Sequence, residues 1–108
     1  MIPQIHPTEL KAKLDAGEPV YLLDVRQPNE HAYCHLPDST LIPLPELPGR
    51  LDEVEPPPGA LVVVYCHHGV RSLSGAAVLL HAGLTAVASL SGGIEAWSVL
   101  VDPSVRRY

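Results

Sequence analysis

The sequence predicts an α/β domain built on a mostly parallel sheet, and three observations carry that expectation. Two apolar runs, Val20-Tyr21-Leu22-Leu23 and Leu61-Val62-Val63-Val64-Tyr65, are continuous rather than alternating. A strand with that pattern is buried on both faces, as the strands of a parallel sheet are. Helix-like segments separate the strand-like ones, which is the order of βαβ units. The chain has 108 residues, 46% of them hydrophobic, enough for the core of one compact domain without disulfide or metal staples. The expected organisation is therefore a single domain over residues 1–108.

Each element has its own local signal. Residues 7–16 read as a helix, because Pro7 suits the first helical position, Leu10 and Leu14 share a face, and Gly17 is a stop. The first buried strand, residues 20–23, ends at Asp24. Thr40-Leu41-Ile42 reads as a short strand. Pro43, Pro45, Pro48 and the run Pro56-Pro57-Pro58 then read as loop. Residues 61–65 form the stronger strand and end at Cys66. Residues from about 72 to 82 are rich in Ala and Leu at helical spacing, with Gly83 as the stop. Residues 86–90 are a further strand. Residues from 93 to about 100 are a last helix, whose Trp97 belongs to the core. With no Phe in the chain, that core rests on Leu, Val, Ile and Ala.

Charge and cysteine usage narrow the function classes. The net charge is -5, from 12 acidic and 7 basic residues, which argues against nucleic acid or an anionic membrane as the main partner. No apolar stretch reaches the length of a membrane helix. The opening residues lack the basic region and apolar run of a signal peptide. Cys34 and Cys66 are the only cysteines, too few for the disulfide framework of a secreted domain. The expected compartment is a reducing cytoplasm, where a reactive thiol survives.

The chemistry concentrates in Tyr65-Cys66-His67-His68-Gly69-Val70-Arg71-Ser72. A buried strand ends at Cys66 and a helix starts near Ser72, which is read as its cap. Ligands of open α/β sheets bind at the carboxyl ends of the strands. A loop there presents successive backbone N–H groups, and the helix adds its positive end. Such a nest stabilises a thiolate, a persulfide or an oxyanion, and a thiolate is the nucleophilic form. Gly69 permits the sharp bend. Taken alone, Cys66 reads equally as a nucleophile and as a small buried hydrophobe at a strand end.

Four motifs in order decide between these readings. Leu22-Leu23-Asp24-Val25-Arg26 resembles the Asp-x-Arg segment of the rhodanese family. Glu30 followed by His35-Leu36-Pro37 resembles its Glu…Gly-His-Ile-Pro-Gly-Ala stretch. The segment from Cys66 to Arg71 resembles its six-residue active loop. Leu90-Ser91-Gly92-Gly93-Ile94-Glu95-Ala96-Trp97 resembles its Leu-x-Gly-Gly-x-x-x-Trp ending. The resemblance implies a rhodanese-like fold, with about five strands flanked by helices on both faces. It also implies an enzyme, a sulfurtransferase of the thiosulfate sulfurtransferase kind. A donor such as thiosulfate or a persulfide gives its outer sulfur to Cys66. A thiophilic acceptor (cyanide, a small thiol or a protein thiol) then takes that sulfur from the Cys66 persulfide. The implied catalytic residue is Cys66. The implied substrate-binding residues are His67, His68, Gly69, Val70, Arg71 and Ser72, with Asp24 and Arg26 in support. No cofactor and no metal is implied.

Two alternatives stand beside the enzyme. One is a non-enzymatic sulfur-carrier or regulatory module acting with a protein partner. The other is phosphatase or arsenate-reductase chemistry. The loop disfavours the latter, because Cys66 and Arg71 enclose four residues whereas the related phosphatases enclose five. Some positions depart from the family pattern. Cys34 and Asp38 stand where the family has Gly. His67 and His68 stand where thiosulfate-preferring relatives carry Arg or Lys, which bears on whether thiosulfate is the donor. The two histidines read either as contacts for an anion or as solvent-facing loop residues. A metal site formed by Cys66, His67 and His68 with His31 and His35 is disfavoured, since adjacent histidines on a tight loop converge poorly. Arg71 reads as a substrate contact or as one half of an outward ion pair. Asp24 and Arg26 read as support for the loop or as a structural ion pair. Cys34 reads as an ordinary thiol rather than a resolving partner, because disulfide geometry is demanding.

Overall fold

The computed structural model describes residues 1–108 and shows a five-stranded, wholly parallel sheet. The strands are β1 (Gln4–Ile5), β2 (Val20–Asp24), β3 (Thr40–Leu41), β4 (Leu61–Tyr65) and β5 (Val87–Leu90). Their spatial order is β1-β5-β4-β2-β3. β4 lies at the centre, with Asp24 of β2 opposite Tyr65 and Val62 opposite Val87 of β5. The helices are α1 (Pro7–Asp15), α2 (Pro28–Tyr33), α3 (Arg71–His81) and α4 (Gly93–Leu100).

Side chains alternate along β4 and divide the interior into two cores. Val63 and Tyr65 join Leu10, Leu36, Leu90, Ile94 and Trp97 beneath α1 and α4. Val62, Val64 and Cys66 join Leu23, Val25, Leu47, Ala76 and Leu79 beneath α3. Both faces of the sheet are covered, as the continuous apolar runs require. Cys34 belongs to the first core and Cys66 to the second.

α1 begins as its sequence suggests. Pro7 is at the first helical position, His6 accepts from the Thr8 N–H at 3.2 Å, and Glu9 accepts from the His6 N–H at 3.3 Å. Leu10 is fully buried, whereas Leu14 is on the exposed side. The proline-rich stretch corrects the expectation of plain loop: Leu44–Gly49 and Leu51–Glu53 are turns of 3-10 helix. The fixed φ of proline suits those turns. The Pro43 carbonyl accepts from Glu46 and Leu47 at 2.9 and 3.1 Å, and the buried Leu47 holds the segment to the core. β1 and α2 are additions to the sequence reading. Asp38 takes a φ of 60°, a left-handed conformation that Asp tolerates and that accounts for Gly at this place in the family.

Candidate active site

The candidate nucleophile sits where a buried strand hands over to a helix. Cys66 directly follows β4 and Arg71 opens α3. Its Sγ accepts the Gly69 N–H at 3.1 Å and the Ser72 N–H at 3.3 Å. The Ser72 hydroxyl lies 3.5 Å from the same sulfur and 2.8 Å from the Ser89 hydroxyl. Two loop amides therefore converge on the sulfur; those of His67, His68, Val70 and Arg71 make no hydrogen bond to it. Cys66 is 1% exposed, so the sulfur faces its donors inside the fold.

Ser72 corrects one expectation. It does not cap α3: Arg71 is already helical, the cap position is Val70, and no side chain caps that end. Ser72 is wholly buried, and its hydroxyl turns inward to the sulfur and to Ser89. Val70 is 72% exposed at the outer rim of the loop.

Glycines hold the loop to the start of α4. Gly69 has a φ of +92°, and a Cβ there would meet the Gly92 N at 3.0 Å and the Leu90 carbonyl at 3.2 Å. Gly93 has a φ of +63°, and its missing Cβ leaves room for the Cys66 and His67 carbonyls. Those carbonyls accept the first N–H groups of α4, Ile94 to Cys66 at 2.9 Å and Glu95 to His67 at 3.1 Å. A helix end with otherwise orphaned donors is thus completed by the loop it supports. This gives the Gly92-Gly93 pair its physical role.

The charged residues form a network beside the loop. Arg71 makes a bidentate pair with Glu30 of α2, at 2.7 and 3.0 Å, so it pairs with an acid rather than standing free. The Arg71 guanidinium, aided by the Tyr108 hydroxyl and the Gln27 N–H, pulls the Glu30 carboxyl down to about 2 despite burial. Asp24 and Arg26 are both wholly buried and form an ion pair with contacts of 2.9 and 2.7 Å. Arg26 also donates to the Cys34 carbonyl at 2.6 Å and to the Tyr108 hydroxyl at 2.8 Å. Burial opposes the Arg26 charge, but the bonds to Asp24 and Tyr108 outweigh it and raise the pKa. His31 completes the Asp24 carboxylate at 2.8 Å and stacks on His35 with centroids 4.2 Å apart. Neither Asp24 nor Arg26 bonds to residues 66–72 directly; Arg26 reaches them through Tyr108.

Tyr108 is the residue that sequence reasoning missed. Its ring stacks on His67 with centroids 3.8 Å apart and planes 7° from parallel. Its hydroxyl donates to Glu30 at 2.6 Å while accepting from Arg26. Burial, and then the Glu30 carboxylate, push this phenol up to about 12, so it is a neutral donor at ordinary pH. His67 also meets His68 at 3.9 Å. Burial and the neighbouring His68 lower the His67 pKa, which favours a neutral ring. The contacts of Tyr108 with His67, Glu30 and Arg26 join it to residues 41 to 82 positions away in sequence, beyond the reach of any local pattern.

The family model described as the rhodanese-like domain matches residues 6–100. A protein of Allochromatium vinosum named "Sulfurtransferase" is 37% identical over 98 residues, covering 91% of this chain and 90% of that one. The "Putative sulfur carrier protein YrkF" of Bacillus subtilis is 31% identical, covering 90% of this chain and 51% of its own. Other curated relatives are much longer, and the chain spans only 26% of one and 38% of another. Among solved structures, the thiosulfate sulfurtransferase of Pseudomonas aeruginosa superposes with a TM-score of 0.85 at 31% identity, covering 98% of this chain and 20% of that one. A match across most of the sequence, a shared parallel fold and a strand–Cys–Gly–helix loop agree: the chain belongs to the rhodanese-like domain family.

Proposed function

We propose that this protein is a single-domain sulfurtransferase that carries sulfur as a persulfide on Cys66. The observation that supports it most is the pair of backbone N–H groups, from Gly69 and Ser72, held on the Cys66 sulfur. Such donors stabilise a negative sulfur without a metal. In the first half-reaction the Cys66 thiolate attacks the outer sulfur of the donor. A new S–S bond forms, the donor's own bond to that sulfur breaks, and the electron pair leaves with the donor remnant. In the second, a nucleophilic acceptor attacks the outer sulfur and Cys66 departs as thiolate. The electrons balance with no external oxidant or reductant.

The surrounding residues have graded roles in this reading. Gly69 and Ser72 hold the sulfur, and His67, His68, Val70 and Arg71 shape the approach. Asp24 and Arg26 hold the wall beside it. The loop's guanidinium is already neutralised by Glu30, so a small dianion such as thiosulfate relies on backbone donors and the histidines. That favours a persulfide donor over thiosulfate.

A carrier that exchanges sulfur only with a protein partner is a second reading, favoured by the burial of Cys66. The reactive groups are the same, and turnover separates the two. Intact mass after incubation with a panel of donors, then acceptors, tests both. The wild type should gain the mass of one sulfur and lose it to an acceptor, while Cys66→Ala folds normally and gains none. Rapid cycling with small molecules identifies the enzyme; loading without cycling identifies the carrier. If Cys66→Ala still transferred sulfur and Cys34→Ala did not, Cys66 would not be the nucleophile.

A further inference from the structure

One residue of the Cys66 loop, His67, is stacked on by a segment with no part in sulfur chemistry as described above. After α4 the chain turns at Asp102, where Val105 N–H bonds the Asp102 carbonyl at 3.1 Å. The Ser98 hydroxyl donates to the Val105 carbonyl at 2.7 Å, and Val105 packs against the core beneath α1 and α4. Beyond this anchor three consecutive side chains reach to α2, to α4 and to the His67 ring. Arg106 lies over the Tyr33 ring at 5.7 Å. Arg107 pairs with Glu95 at the start of α4. Tyr108 lies on His67, edge-to-face with Tyr33 at 5.9 Å.

We propose that Tyr108 is a gate over Cys66, latched by its hydroxyl on Glu30 and Arg26, and that a reactant enters by displacing it. This rests on the reading of Cys66 as the reacting sulfur. Three features of the closed arrangement support a movable part. The ring touches His67, the residue directly after Cys66, and the sulfur is 1% exposed while Tyr108 itself is 45% exposed. The outer contacts, an ion pair and a cation over an aromatic ring, are of kinds worth little where water competes. On the other side of Arg106 and Val105 lies an open groove of about 360 Å³, shared with Tyr33, Cys34 and His35. Arg106 is therefore unpacked on that side.

The latch also restricts what opens it. The phenol donates to a carboxylate and accepts from a guanidinium that is otherwise wholly buried. Displacing it uncovers one acceptor and one donor side by side. A peptide unit, with its N–H and C=O, matches both, whereas an anion that only accepts meets Glu30 with like charge. The gate thus disfavours a purely accepting anion and admits groups that both donate and accept a hydrogen bond, a peptide unit among them.

Alkylation by N-ethylmaleimide tests the gate without any sulfur donor. The Cys66 thiolate adds to the maleimide double bond, and peptide mass mapping reads Cys66 and Cys34 separately. Tyr108→Ala, and removal of residues 106–108, should each raise the Cys66 rate by roughly thirtyfold or more, the combined scale of losing a hydrogen bond to a charged group and a ring stack. The gain should be larger with a bulkier maleimide and should exceed any gain at Cys34, which borders the same groove as Arg106. Tyr108→Phe, which keeps the stack and drops the latch, should fall between. Circular dichroism melting checks that each variant is folded, and the Phe variant carries the test if the others unfold. Unchanged Cys66 rates, equal gains at both cysteines, or a Phe variant indistinguishable from wild type would overturn the gate. Faster alkylation with no persulfide in any variant would uphold the gate and reject sulfur transfer.

Discussion

Gly69 joins the backbone conformation of the loop to its chemistry. Its N–H is the shorter of the two backbone donors to Cys66, and its φ of +92° is what turns that N–H inward. A β-branched residue in that conformation is strained by about 1–3 kcal/mol. It would also press on the Gly92 N and the Leu90 carbonyl, which are backbone atoms and cannot rotate away. His67 contributes differently, through ring faces against Tyr108 and His68, contacts worth about 0.5–1.5 kcal/mol. Gly69→Val is therefore expected to slow persulfide formation more than His67→Ala, and to lower the unfolding free energy by about 1–3 kcal/mol. Single-turnover loading followed by mass, with urea unfolding of both variants, measures this. The reverse ranking would move the chemistry from the backbone to the imidazole. At this scale the strand end before Cys66, the bend at Gly69 and the start of α3 were legible because they lie within a few residues, while the weight on Cys66 and on the Gly92-Gly93 pair came from the family resemblance. The direction of the Ser72 side chain was not. Its partner Ser89 is 17 residues away on β5, and a hydroxyl near a helix start reads locally as a cap.

Three elements meet at Glu30: α2, which carries it, α3, which begins with Arg71, and the segment after α4 that carries Tyr108. The folded carboxyl has a pKa of about 2 against 4.5 unperturbed, with the Arg71 bond as the largest cause. A depressed carboxyl pKa contributes stability that is fully present above the unfolded value and is lost as pH falls through the folded one. The Glu30 contribution is therefore intact above about pH 5 and fades between about 4.5 and 2. Glu30→Gln should destabilise the protein at pH 7, and the gap from wild type should close over that acid window. Thermal unfolding from pH 7 to pH 2.5 checks it. A gap independent of pH would mean that Glu30 acts through packing and not through charge. This meeting of elements was hidden from the sequence because α2 is six residues long and buries none of them. It has no apolar stripe to read, only Pro28 at its start and the Glu30 carboxylate accepting from the Gln27 N–H. β2, β4 and α3 were legible for the opposite reason, since they carry two continuous apolar runs and an Ala- and Leu-rich helical pattern with Gly83 as its stop. β1 has two residues and exists through its pairing with β5, a contact between distant parts of the chain.

At the scale of the whole molecule, the sheet keeps the two cysteines apart. Tyr65 and Cys66 are consecutive, so their side chains leave the sheet on opposite faces. Tyr65 points into the core that holds Cys34, and Cys66 into the core beneath α3. The same long-range closure that joins Tyr108 to Arg26, 82 residues apart, leaves the Cys34 sulfur beside the Arg26 guanidinium at 3.9 Å. A disulfide needs Cα atoms within about 7 Å and side chains directed at one another. Joining Cys34 to Cys66 would require a side chain to cross the sheet, disrupting β-ladder hydrogen bonds and both cores. Oxidation of the folded protein should therefore leave Cys34 and Cys66 unlinked. Cys66 should progress to sulfenic acid or to a mixed disulfide with an added thiol, while Cys34 is modified more slowly in its own core. Treatment with diamide or dilute peroxide, then non-reducing peptide mapping, distinguishes the outcomes. A Cys34–Cys66 cross-linked peptide formed under conditions that keep the native circular dichroism spectrum would show that the two faces communicate through an opening of the sheet edge. The one-sided arrangement of the cores would then be only one of the states this fold visits.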